Sequence, residues 1–327
     1  MGALAIAIPY VLFVWWFSTG TVLFVVGLSS RYDVALKVGA AILLIASLAG
    51  VAVSSQATSA AGAYCVFTCA ILVWGAVEIS LLAGWITGPR PESCPRECAA
   101  KDRVWYALQA IAYHELALIA AAGLVFAVTA EAPNQLGWWT FAALLILRQS
   151  AKINLFLGVR TLNDELLPAQ VGFLRSYFAR KPMNALFPFS VTLATAAAAF
   201  LAVAAIDASS RFDALAYSLL ATLVALGALE HWFMVLPVPV VDLWRWSVRA
   251  TPVAEDRMLE PAPKPILSVI PGGATSAKRP AKSAALLARQ RLEDQFRQAY
   301  RERQCDIAGV ATKTTIDVNR MTDGRAS

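Results

Sequence analysis

Seven stretches of mostly apolar residues follow one another along the chain, at about 3–29, 36–54, 61–86, 104–130, 137–158, 185–206 and 213–237. A helix needs roughly 20 such residues to cross the hydrocarbon core of a bilayer. Each stretch therefore reads as a spanning helix, with Pro9 the one interruption in the first. The fifth is the weakest, because Arg148 and Lys152 lie inside it; cut back to 137–147 it could not cross.

Loop charge decides the fifth stretch. Lys and Arg favour the cytoplasmic side of short loops. Arg31 and Lys37 follow the first stretch, Arg90, Arg96, Lys101 and Arg103 the third, and Arg160, Arg175, Arg180 and Lys181 the fifth. The loops after the second and fourth carry none, and the loop after the sixth carries only Arg211. This alternation requires the fifth stretch to cross. It predicts an all-α, polytopic membrane helix bundle of seven spans, with the N-terminus outside and the C-terminal tail cytoplasmic. Tryptophan gathers at headgroup level. Trp85, Trp105, Trp244 and Trp246 are expected at the cytoplasmic interface, and Trp138 and Trp139 at the outer one. Trp15 and Trp16 fall mid-span, as packing or ligand-facing residues. The N-terminus has neither a basic region nor an obvious cleavage site, so the first span is expected to stay attached. No internal repeat is visible.

Only 15% of residues are charged, against about 25% in soluble domains. A typical soluble enzyme is excluded. Residues 246–327, a quarter of the chain, carry half of its Lys and Arg. A basic tail beside a membrane points to anionic lipid headgroups before nucleic acid. The layout expected is a membrane domain over 1–249, a Pro-rich linker over 250–280, a basic helix over 281–304 and a disordered tail over 305–327. Between spans five and six, residues 159–184 read equally as an amphipathic cytoplasmic helix, with Asn163 as an N-cap, or as a stiff connector. Cys65 and Cys69 sit one turn apart in a span, as packing residues. Cys94 and Cys98 supply only half of a usual zinc site, and a lasting disulfide is not expected in a reducing compartment. Cys305 stands alone in the tail.

The chemistry-bearing residues are the ionisable ones inside the spans: Glu78, His114, Glu115, Arg148, Lys152, Glu230 and His231. Charge at bilayer depth is costly, and usually faces the bundle interior with a partner. At 1.5 Å per residue, His114 and Arg148 come out near the midplane, and Glu78, Lys152 and Glu230 in the inner half. The seven are expected in one polar layer. Arg148 and Lys152, four apart, share a helix face, while Asn154 points elsewhere. Interhelical salt bridges are the plainest reading. Three functional readings stand beside it. His114 or His231 could ligate the magnesium of a chlorin, with Trp232 and Phe233 against the ring. His114, Glu115, Glu230 and His231 could hold a transition metal. The Glu and His side chains could relay protons in a transporter. No nucleotide loop, Gly-x-Ser-x-Gly or His-Glu-x-x-His motif occurs.

Arg148-Gln-Ser-Ala-Lys-Ile-Asn-Leu-Phe-Leu-Gly-Val-Arg160, Leu162-Asn-Asp-Glu-Leu-Leu-Pro168, Ser176-Tyr-Phe and Arg180-Lys-Pro-Met-Asn184 resemble the PuhE family. So do Leu229-Glu-His-Trp-Phe-Met-Val-Leu-Pro237 and Leu243-Trp-Arg-Trp246. The resemblance covers roughly residues 1–250. That family is described as photosynthetic-complex assembly proteins of purple phototrophic bacteria. The resemblance implies a multi-pass protein of the bacterial inner membrane with a periplasmic N-terminus. It implies a protein that aids build-up of the reaction centre and light-harvesting 1 complex; with the polar layer of His and Glu, the leading expectation is a non-enzymatic assembly factor handling bacteriochlorophyll or nascent subunits. The implied partners are those subunits, the pigment-synthesis machinery and lipid, not nucleic acid. The alternative is a membrane metalloenzyme acting on a pigment or isoprenoid precursor. The family transfers no catalytic residues, but its strings contain Arg148, Lys152, Glu230 and His231.

Overall fold

The computed structural model describes residues 2–95 and 98–247. The linker over 250–280, the helix over 281–304 and the tail over 305–327 lie outside the described residues, as do Arg96 and Cys305.

Seven α-helices form: α1 (Gly2–Gly27), α2 (Ser29–Ser54), α3 (Ala60–Leu82), α4 (Ala100–Thr129), α5 (Leu136–Leu157), α6 (Phe187–Asp207) and α7 (Arg211–Phe233). All seven are long and apolar enough to cross a membrane. Among the described residues there is no β-strand, only an isolated bridge between Val159 and Arg180. The fifth stretch is a full helix, as the loop charges require. Pro9 sits inside α1, as prolines do in lipid-embedded helices.

Short polar side chains set the helix starts. Ser59 accepts from the Gly62 amide to open α3, and Ser210 accepts from the Asp213 amide to open α7. Asn134 accepts from the Leu136 amide and donates to the Ser54 and Ala57 carbonyls, so one amide group starts α5 and ties it to the turn after α2. Asn184 does the same for α6. Its oxygen takes the Leu186 and Phe187 amides, and its NH2 reaches Asn154 and the Gly158 carbonyl.

Helix α3 is the axis of the bundle, packed against α1, α2, α4, α5 and α7. Phe67, Phe141, Leu118 and Leu219 are fully buried there. α6 leans mainly on α7, and leaves Phe189, Leu193, Phe200 and Ile206 exposed on its outer side. Those side chains suit hydrocarbon, so their exposure needs no other partner.

The end of the bundle where α3 and α5 finish is covered by a folded cap. Pro168 stops any long helix, and residues 159–184 form two 3-10 pieces, Asp164–Leu166 and Ala169–Tyr177. This corrects the expectation of an amphipathic α-helix over the segment. Asn163 precedes the first piece with a left-handed φ of 48° but makes no capping bond. The cap is tied down by hydrogen bonds to the buried Tyr177 and its neighbours. Arg90 donates to the Tyr177 hydroxyl, which donates to the Glu92 carbonyl. Arg103 donates to the Phe156 and Tyr177 carbonyls. Burial pushes the Tyr177 phenol above its ordinary pKa, and the same cause raises the Cys94 thiol. Cys94 and Cys98 are free thiols with their sulfurs 3.0 Å apart.

Two glycines make this end possible. Gly84, at φ +75°, turns the chain out of α3. Gly88 rests directly on the backbone of α4 around Gln109 and Ala110, where no Cβ would fit. From that contact, the Thr87 carbonyl accepts the His114 backbone amide at 3.0 Å.

Beyond α7, Pro237 and Pro239 end the helix four residues before the expected 237, and the chain folds back along α1. Trp244 donates to the Trp16 carbonyl, and Trp16 donates to the Leu243 carbonyl. The Trp15–Trp244 and Trp16–Trp246 rings lie 5.3 and 5.5 Å apart. Trp244 and Trp246 pack on the middle of α1, Trp244 edge-on to Trp15 and Trp246 tilted against Trp16.

Candidate functional site

The ionisable residues come from α3, α4, α5 and α7, and α5 supplies the hub. Arg148 points to α3 and gives its guanidinium to Glu78 Oε2 at 2.9 Å. Gln149 and Lys152 both turn to α4 and clasp Glu115, at 2.5 and 2.6 Å. Ser150 faces α7 and meets His231 Nε2 at 2.8 Å. Three neighbouring positions of a helix point about 100° apart, so consecutive polar residues serve three neighbouring helices. Asn154 points elsewhere, to Ser190 of α6 and Asn184.

The two histidines differ. His231 Nδ1 lies 2.7 Å from the Gly227 carbonyl. A carbonyl only accepts, so Nδ1 carries the proton, and Nε2 accepts from the Ser150 hydroxyl. Both ring nitrogens are used, and the residue is 1% exposed. His114 is wholly buried, and neither ring nitrogen has a hydrogen-bond partner among the described residues. Its Nε2 stands 3.8 Å from Glu78 Oε1, which also lacks a partner, as does Arg148 Nε.

The expected ligand sets are not assembled. His114 and Glu115 stand beside Glu78 and Lys152, Glu230 beside Trp15, and His231 beside Ser150. Among the described residues, no three His, Cys, Asp or Glu side chains stand where they could hold one metal ion. Two of the four expected metal ligands are taken up by α5, Glu115 by Gln149 and Lys152 and His231 by Ser150, while Glu230 is held by Trp15 of α1. A chlorin site does not fit either. A magnesium ligand needs a free imidazole nitrogen open to a macrocycle-sized space; His231 has no free nitrogen, and His114 has no opening. Trp232 packs edge-on against Phe187 of α6 and is exposed.

What the sequence reading did not foresee is a cleft. It lies between α1, α3, α5 and α7 and measures about 270 Å³. Trp15, Ser18, Trp74, Glu78, Arg148 and Glu230 line it together with Leu, Val and Ile side chains. Trp15 donates its indole N–H to Glu230 Oε1 at 2.5 Å. Glu230 stays exposed to the cleft, and no cation lies within ion-pair distance of it among the described residues. The sequence held half of the signal, in Trp15 mid-span and Glu230 in the polar layer. That the two meet, 215 positions apart, is visible only in the fold.

No solved structure matches this chain. It is 38% identical over 256 residues to an uncharacterized 30.4 kDa protein in the puhA 5′ region of Rhodobacter capsulatus, covering 77% of this chain and 93% of that one. A family model, described as a protein of unknown function (DUF3623), matches residues 1–255, which includes the whole helical bundle and its cap. The chain belongs to the DUF3623 family.

Proposed function

We propose that this multi-pass membrane protein is a non-enzymatic assembly factor for the bacterial photosynthetic reaction centre and light-harvesting 1 complex. The observation that carries the reading is kinship with a protein encoded in the 5′ region of puhA, a reaction-centre gene. The PuhE resemblance of the strings at 148–184 and 229–246 points the same way, and those strings supply the second half of α5, the cap and the chain that folds back on α1. The protein acts in the inner membrane, with a periplasmic N-terminus and a cytoplasmic basic tail that sits on anionic lipid. Its partners are nascent subunits or the pigment-synthesis machinery. If bacteriochlorophyll is handled, the contact is with its hydrocarbon tail: a cleft of about 270 Å³ is under twice the size of a cavity that holds benzene.

The test is deletion of the gene in a phototrophic host, followed by near-infrared absorption of reaction centre and antenna. At least a twofold loss of complex, restored by the wild-type gene, is expected. Unchanged complex yield overturns the reading. His114→Ala and His231→Ala should lower complex yield only as far as they lower the amount of this protein, because neither side chain is available to a pigment.

A further inference from the structure

The cleft has a shape and a charge that together select a ligand. From Val11 to Leu23 it follows α1 for twelve residues, about 18 Å. A volume of about 270 Å³ over that length is narrow, which suits one hydrocarbon chain. The apolar end is walled by Val11, Ile71 and Leu144. The polar belt is Glu78, Arg148 and Glu230, a formal charge of −1. Arg148 is ion-paired with Glu78 at 2.9 Å and lines the same cleft as Glu230, but no cation stands within ion-pair distance of Glu230 among the described residues. One of its oxygens takes the Trp15 N–H. The other takes no hydrogen bond from the described residues, and the residue is exposed and lines the cleft. A carboxylate in an apolar, membrane-depth cleft is costly without a donor or a cation.

We propose that this cleft binds one long-chain amphiphile whose polar end is a hydrogen-bond donor, a primary alcohol or a protonated amine, held by the free oxygen of Glu230. The head rests beside Trp15, and the chain runs along the apolar wall of the cleft. This holds whether or not the protein serves in assembly. Failure of the assembly role shows in complex yield in the cell, and failure of the cleft shows in binding to the purified protein.

The experiment uses the full chain in lipid nanodiscs and its tryptophan fluorescence, since Trp15 and Trp74 line the cleft. Three twelve-carbon probes, each brominated on the chain, are titrated: an alcohol, an amine and a carboxylate. Saturable quenching by the alcohol or the amine, at least tenfold tighter than by the carboxylate, is expected; which of the two is tighter identifies the head group. Glu230→Gln should weaken the amine at least tenfold, and Trp15→Phe should remove much of the saturable quenching. Equal, unsaturable quenching by all three probes would mean partition into lipid alone and overturn the proposal, as would tightest binding of the carboxylate. If Glu230→Gln does not yield monodisperse protein, the ranking of the three probes on the wild-type chain still decides.

Discussion

Glu78 and Glu230 lie in the same polar layer and both line the cleft, yet they live differently. Glu78, on α3, is nine-tenths buried and locked to Arg148, with His114 behind it. Glu230, on α7, is open to the cleft and meets only an indole N–H. The first belongs to a seam between α3, α4 and α5 in which each carboxylate has its cation. The second belongs to the side of the bundle where α1 and α7 leave space. Two acidic residues of similar depth thus separate into a structural role and a ligand-facing one, and the divider is whether a neighbouring helix delivers a counter-charge.

The comparison breaks first if the seam is not structural. Arg148→Met strands the Glu78 carboxylate in the interior, and should lower stability by about 3 kcal/mol or more, as removal of one partner of a buried pair does. Thermal unfolding in mild detergent reads it. The double variant Glu78→Leu with Arg148→Leu should recover most of that loss. A single variant as stable as wild type would remove the distinction between the two carboxylates.

Gly88→Ala tests how firmly the seam is backed. Its new methyl meets the backbone of α4, which cannot yield as a side chain could, so a cost of about 1–3 kcal/mol is expected. It should be accompanied by faster hydrogen exchange near His114, whose amide depends on Thr87. Ser150→Ala is smaller. It takes one hydrogen bond from His231 and should cost about 1 kcal/mol, with no change in probe binding to the cleft.

The smallest effect sharpens the contrast most. Glu230→Gln keeps an oxygen for the Trp15 N–H and removes a charge that has no ion-pair partner among the described residues, so stability should hold or rise slightly while ligand selectivity changes. A large loss of stability in this variant would place Glu230 with Glu78 as a structural group.

Much of the fold was legible before any coordinates. Hydropathy is a local property, and crossing a membrane depends on the length of one segment, so seven helices followed from seven stretches. Charge in the loops supported the fifth span despite Arg148 and Lys152. Asn154 pointing away from Lys152 followed from helical geometry alone. The connector at 159–184 was misread in part, because apolar spacing argued for a helix while Pro168 and contacts from Arg90 and Arg103 imposed 3-10 turns and a cap.

The site was legible as an inventory and not as an arrangement. All seven ionisable residues were marked by their burial in apolar sequence, which is a one-dimensional fact. Their partners were not, because each pair joins residues 34 to 215 positions apart. The sequence by itself determined how many times this chain crosses and which charges it carries across. Only tertiary structure decided that α5 shares its polar residues among three helices, that His231 is satisfied while His114 is not, and that Glu230 opens on a cleft. The physical reason is that the cost of a charge in lipid belongs to the residue, whereas its compensation belongs to whichever neighbour the packing brings within about 3 Å.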